Sequence, residues 1–413
     1  MKSFKNHNYI TEAKNTHMTH IEDLILDGGV KGARQAILAL RSLRDMLSGN
    51  AKAPVDISVK WDGAPAVFAG IDPEDGQFFV AKKGIFAKNP KVYKNHKDID
   101  ADTSGDLNKK LKLAFDNLQD VGIRGVIQGD FMFEKSDLKM EKINGVRHIT
   151  FHPNTIVYAV PDGTPLARTI KAAKIGIVWH TSYTGTRFEN MKASFGKSIA
   201  TRLNKSKNVW MVDATYPDIS GKAVMSAAET ASVTKLLSDA GKTFRKVEAP
   251  VLKELEDNKE LNLVVNIYNN TTVRRGERIT NPKKHAKGLI DFVNKRYAKE
   301  IAKRKSQAGK DAQIEKRDKL LSFFSTNNLS NLEDVFKLHN YVTDAKLIII
   351  NKLNALSNID TFVKTKSGYK VTGPEGFVAI DRTEGGAVKL VDRLEFSTNN
   401  FSPDIIKGWD NPN

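Results

Sequence analysis

The rhythm of apolar and polar positions changes several times along the 413 residues. Residues 20–47, HIEDLILDGGVKGARQAILALRSLRDML, set Ile37, Leu40, Leu43 and Leu47 at three- and four-residue spacing, which predicts one apolar helix face. Gly28 and Gly29 break this stretch into two helices. VDISVKW, PAVFAGI and QFFVAKK then read as strands, the last two joined by the turn DPEDGQ. DLNKKLKLAFDNLQD predicts an amphipathic helix that stops at Gly122, and RGVIQGDFMFE, RHITFHPNTIVYAV and KIGIVWHTSY predict more strands. From about residue 188 to 360 alternation fades into long helical stretches rich in Ala, Leu, Lys and Glu. GYKVTGPEGFVAID and DRTEGG return to strand and turn, and AVKLVDRLEFS precedes a short polar tail. The expected architecture is a mixed α/β (α+β) body of residues 14–187 and 361–413, interrupted by a basic helical insertion over 188–360 and preceded by a leader over 1–13.

Composition narrows the partners. Hydrophobic content of 40% and aromatic content of 8% suit a globular chain. The longest apolar run, AKLIIINKLNAL, is charged and far short of the roughly 20 residues of a membrane span, so no membrane partner is expected. The chain has no cysteine, which excludes disulfides, thiolate metal sites and cysteine nucleophiles. A net charge of +17 favours a polyanionic partner, most simply nucleic acid.

Candidate chemistry starts at ISVKWDGAPAVFAG, where Lys60 ends a strand beside Trp61, Asp62 and Gly63. A lysine at such a place is costly unless paired or used. K-x-D-G alone recurs too freely to carry a function. The order of the fragments around it carries more. AKKG follows about twenty residues later, QGDFMF lies after the next helix, and PEGFV and VKLV come late in the chain.

In that order the fragments resemble the covalent nucleotidyltransferase superfamily of ATP-dependent DNA ligases, RNA ligases and mRNA capping enzymes. The resemblance implies a ligase-type adenylation domain of mixed and antiparallel sheets, and makes Lys60 the catalytic nucleophile that takes up a nucleoside monophosphate. It places Lys82 and Gly84 in the S-R-x-G element and Asp130 in the G-E element. Glu375 falls in E-G-x-V and Lys389 at the first lysine of K-x-K, whose second lysine is Val391 here. Tyr158, in NTIVYAVP, stands where the family stacks an aromatic on the base. Trp61, Asp62 and Gly63 join these residues as nucleotide contacts, and Asp130 and Glu375 are the expected ligands of Mg²⁺ or Mn²⁺.

Physical chemistry agrees with these roles. Attack on the α-phosphate of ATP needs a neutral amine, which neighbouring cations, a metal and burial beside Trp61 would favour. Asp130 and Glu375 are hard oxygen ligands, Lys82 and Lys389 hold phosphates as point charges, and Gly63 lets the backbone approach closely. Singly, each residue has a structural reading: a strand-end lysine, a bulge acid at QGD, a turn at PEG, an edge lysine. His148 and His152 sit about 13 Å apart if on one strand, too far to share an ion, and with His180 read as surface or pocket histidines.

Two departures, the short stretch after Lys389 and Pro65 where DNA ligases tend to carry arginine, favour an RNA ligase-like enzyme with RNA as acceptor, DNA being the alternative. A GTP-using capping-type enzyme and a non-catalytic DNA-binding head protein are the other readings. Arg274, Arg275, Lys283, Lys284, Lys303, Arg304 and Lys305 are the candidate phosphate contacts on the insertion. MKSFKNHNYITEA resembles the capsid-targeting leaders of T4-like tailed-phage head proteins, with a cut after Glu12. That implies packaging in a phage head and action in the infected-host cytoplasm.

Overall fold

A computed structural model describes residues 18–410 apart from 51, 53–54, 197, 217–220, 357–358 and 382–386. The leader-like residues 1–13 and most of DRTEGG lie outside the described residues. The N-terminal part runs α1 (Leu24–Asp27), α2 (Gly29–Leu47), β1 (Val55–Lys60), β2 (Ala66–Ile71), β3 (Phe78–Ala81), α3 (His96–Asp102), α4 (Gly105–Leu118) and β4 (Val126–Glu134). Next come β5 (Lys139–Ile143), β6 (Val146–Phe151), β7 (Ile156–Pro161), α5 (Pro165–Ala172), β8 (Ile175–Thr184), β9 (Lys192–Phe195) and β10 (Val209–Asp213). Six helices follow: α6 (Ala227–Phe244), α7 (Ala249–Asp257), α8 (Lys259–Arg274), α9 (Pro282–Ala302), α10 (Gln307–Leu321) and α11 (Thr326–Asn354). The chain closes with β11 (Asp360–Thr365), β12 (Gly368–Val371), β13 (Gly376–Asp381), β14 (Ala387–Leu390), α12 (Arg393–Phe401) and β15 (Ile405–Ile406).

The protein is therefore mixed α/β, with antiparallel and mixed sheets. One sheet has the order β1-β13-β14. A second has the order β10-β8-β4-β2-β3, with β9 on β8, and is antiparallel except for β10 alongside β8. A third has the order β12-β11-β7-β6-β5, with β15 on β11. The long helices begin at Ala227; β9 and β10, inside the stretch expected to be helical, extend the second sheet instead. Val209 and Trp210 are buried there, so tertiary packing overrides the weak local alternation.

Alternation in the three-stranded sheet explains how the helices reach the site. Ile57, Phe377, Ala379, Val388 and Leu390 face inward and share one core with α1, α2 and the helices α6 to α11. Ser58, Lys60, Val378 and Lys389 take the opposite face by the same period of two. On its outer edge β14 is held by the N-terminal segment: Ile21 N–H donates to Lys389 C=O at 3.1 Å, and Lys389 N–H donates to Thr19 C=O at 3.0 Å. Each buried Leu, Ile or Phe in this core contributes roughly 1.5–3 kcal/mol, so the sheet edge and the helices are coupled strongly.

Beyond Ile21 lies an ionic cluster. Glu22 and Lys346 of α11 pair at 2.6 Å, each side chain only 1% exposed. Arg393 binds Asp23 at 2.9 and 3.1 Å, and His339 stands 3.8 Å from the same carboxylate. Burial is the largest single influence and pushes the Glu22 carboxyl up, but the Lys346 ammonium, joined by smaller pulls from His20 and His339, holds it below its ordinary range.

Candidate active site

Strand register brings the fragments together. Lys60 pairs with Gly376 across β1 and β13, which sets Glu375 beside it, and the two side chains form a direct ion pair. Val378 pairs with Ser58 on one side and Lys389 on the other, so Lys389 lies on Lys60's face of the sheet. Lys60 and Glu375 remain 26% and 13% exposed, open enough for an incoming anion.

The loop after Lys60 is fastened from below. Asp62 is buried, and its carboxylate accepts hydrogen bonds from Asn154 Nδ2 (2.7 Å), Thr155 N–H (2.7 Å) and Ile156 N–H (3.0 Å). Asp62 N–H in turn donates to the Tyr158 hydroxyl at 2.7 Å. Trp61 stacks on Tyr158 with ring centres 4.9 Å apart, and Phe151 stacks on Tyr158 at 5.3 Å. Tyr158 is 1% exposed and both its faces are covered, so it supports the loop and offers no open face to a base. Gly63 passes directly over β4: a Cβ there would lie 2.6 Å from Cβ of Asp130 and 2.8 Å from Sδ of Met132. Only glycine allows that approach.

Asp130 faces the loop from the second sheet, where it pairs with Ala66. Burial pushes its carboxyl up to about 7, Glu375 and Asp62 adding to the effect and Lys60 opposing it. Beside it is His180, expected from the sequence only as a surface or pocket histidine. The β4–β8 register slips between Gln128 and Gly129, whose partners are Thr181 and Trp179, leaving His180 as the extra residue of a bulge. Its Nε2 lies 3.8 Å from Asp130 Oδ2 and its Nδ1 is 2.7 Å from the Thr181 hydroxyl. Burial, aided by Lys60, lowers its pKa to about 4, so the ring is neutral at pH 7. Nothing in WHTSY announces a bulge; only the register against β4 exposes it.

Glu375 is raised by burial, with Lys60 acting against the shift. Lys389 is lowered by burial, then by the charge of Lys60, with Lys83 adding a smaller push. Lys82 turns away, pairing with Asp102 at 2.7 Å. Of the two lysines in AKKG, Lys83 is thus the one whose charge acts on the Lys389 side. Gly84 has open space around it, the nearest atom to an added Cβ being Lys91 Cβ at 4.0 Å. Val391 is 2% exposed and packs where a Gly376 side chain would go, so a lysine there would have no solvated place.

Asp130 and Glu375 present two carboxylates, and no group of three or more His, Asp or Glu able to hold a metal occurs among the described residues. That donor set suits Mg²⁺, which takes one or two carboxylates and completes its shell with phosphate oxygens and water. His148 bonds Val146 C=O at 3.0 Å on the third sheet, and His152 bonds at 3.2 Å the C=O of Thr155, the residue whose N–H holds Asp62. The basic residues of the helices do not form one patch. Arg274, Arg275, Lys283 and Lys284 are exposed around the α8–α9 turn, and Lys303, Arg304 and Lys305 lie at the far end of α9, about 30 Å away by the helical rise. No described helix is long and apolar enough to cross a membrane.

Fold and site together define a mixed α/β protein with a lysine–carboxylate site between two sheets. The chain belongs to a family of unknown function (DUF6267), whose pattern spans residues 15–404. No curated protein and no solved structure matches it.

Proposed function

We propose that the protein is an ATP-dependent polynucleotide ligase of the RNA ligase kind, working through a lysyl-AMP on Lys60. The observation that supports this most is the union of Lys60, Glu375, Lys389 and Asp130 at one partly open place, from fragments up to 329 residues apart in the chain. In the first step Lys60 Nζ, once its ammonium has released a proton to solvent, attacks the α-phosphorus of ATP; an N–P bond forms, the bond to the bridging oxygen breaks, pyrophosphate leaves and the nitrogen sheds a second proton. A 5′-phosphate oxygen then takes the AMP from Lys60, and a 3′-hydroxyl displaces AMP to form the phosphodiester.

Lys389 holds phosphate oxygens, and Glu375 holds Lys60 on the sheet's open face until the anion arrives. A Mg²⁺ or Mn²⁺ ion on Asp130 and Glu375 would neutralise charge as pyrophosphate departs. Incubation with Mg²⁺ and α-³²P-labelled ATP should give acid-labile, alkali-stable label on the protein, absent in Lys60→Ala. Label from GTP alone would shift the reading to a capping-type enzyme. No label from either nucleotide, with the fold verified by circular dichroism, would overturn the enzymatic reading in favour of a nucleic-acid-binding protein.

A further inference from the structure

The segment from Lys82 to Lys97, KKGIFAKNPKVYKNHK, carries Lys82, Lys83, Lys88, Lys91, Lys94 and Lys97 and no acidic residue. The fold puts it at the rim of the site. Phe68 pairs with Ala81 on one side and Gln128 on the other, while Ala66 pairs with Asp130. The exit of β3 therefore lies two residues, about 7 Å along the strand, and two strands, about 10 Å, from Asp130. The chain then loops out and returns at Tyr93, whose backbone N–H and C=O both bond Val80, at 2.9 and 3.1 Å. The excursion is thus anchored at both ends beside Asp130's end of the sheet.

Its charge is only partly compensated. Lys82 and Lys91 share Asp102, and Lys94 pairs with Asp72 and Asp75. Lys88 and Lys97 are exposed and have no ion-pair partner among the described residues, and Lys91 remains 59% exposed despite its pair. Lys83 is exposed, and its charge adds a small part to the lowering of Lys389, so it sits between the loop and the site. Two half-buried rings accompany them: Phe86 and Tyr183 meet at 4.8 Å, and Tyr183 O–H donates to Gln128 at 2.6 Å, which fixes its position. Backbone-tracking cations beside aromatic rings are what a single strand of nucleic acid binds.

We propose that the 82–97 loop is the platform that receives a single-stranded polynucleotide, its phosphates on Lys88, Lys91 and Lys97 and its end directed past Lys83 toward Lys60. The direction toward Lys60 rests on the ligase reading; strand binding by the loop does not. The test is fluorescence anisotropy with a labelled 5′-phosphorylated 12-nucleotide RNA and the DNA of the same sequence, over a salt series. Lys88→Glu with Lys97→Glu should raise Kd about tenfold or more near 0.1 M salt and flatten the salt slope by about 1.4, two phosphate contacts at about 0.7 each. Loss on both strands supports backbone capture, as does loss on RNA alone. A change under twofold in the loop variant overturns the proposal. So does an equal loss from Lys303→Glu, Arg304→Glu and Lys305→Glu together, which would mean a general charge effect. If the unmodified protein takes no label from ATP but the loop variant still loses RNA, the ligase reading fails and the platform stands.

Discussion

Two lysine–glutamate pairs divide this molecule into a half that holds the candidate site and a fastening half. Lys60–Glu375 lies on the outer face of a three-stranded sheet, with its side chains 26% and 13% exposed. Lys346–Glu22 lies within the helical half, with both side chains 1% exposed. The chemistry is the same and the surroundings are not. An ion pair sealed from water can exchange its partner only by unfolding, because either charge alone would be stranded in a low dielectric. The open pair can release its lysine to a phosphate and its carboxylate to a cation. Burial, more than residue type, separates the two uses.

Breaking each pair should therefore give opposite signatures. Glu375→Gln should lower nucleotide labelling of Lys60 at least a hundredfold, about 2.7 kcal/mol, with thermal unfolding little changed; a large drop in Tm would assign Glu375 to the fastening half. Lys346→Met alone should destabilise the protein by about 3 kcal/mol, because it leaves Glu22 buried with only the more distant Arg393, at 3.8 Å, to offset its charge. Combining it with Glu22→Leu should restore most of that loss in a urea titration, while the labelling rate of the folded protein stays close to normal.

A third test uses pH. The Asp130 carboxyl titrates near 7 when folded and near 4 when unfolded, so the native state binds the extra proton between those values. Stability contributed by this group is highest below about pH 4 and falls as pH rises toward 7. Asp130→Asn should remove that fall and raise stability at pH 8 by about 1–3 kcal/mol; an unchanged pH profile of unfolding would count against it. The smallest effect belongs to Tyr158→Phe. It deletes the acceptor for Asp62 N–H and should cost about 1 kcal/mol, lowering Tm slightly and leaving nucleotide preference intact, because the ring is covered on both faces.

Much of what places the candidate site was legible from short windows. K-W-D-G at a strand end, P-E-G before a strand and V-K-L-V near the C-terminus each depend on a few adjacent residues, and each of those strands forms. Windows of that size missed whatever depends on register. Lys82 and Lys83 look equivalent in AKKG, yet one turns to Asp102 and the other acts toward Lys389. Tyr158 looked available for a base until Phe151 and Trp61 closed over it.

By itself, the sequence determined the alternation that makes β1, β13 and β14, the helical periodicity of α2 and α11, the absence of thiol chemistry, and the excess positive charge. These are properties of composition and of neighbours within a turn or a strand, where side-chain direction follows from backbone geometry. Only the tertiary structure decided that Lys346 meets Glu22 across 324 residues, that Thr19–Ile21 clamps the strand of Lys389, and that a bulge aims His180 at Asp130. The physical reason is that such contacts are selected by the fit of whole surfaces and by strand register, which no local stretch of the chain specifies alone.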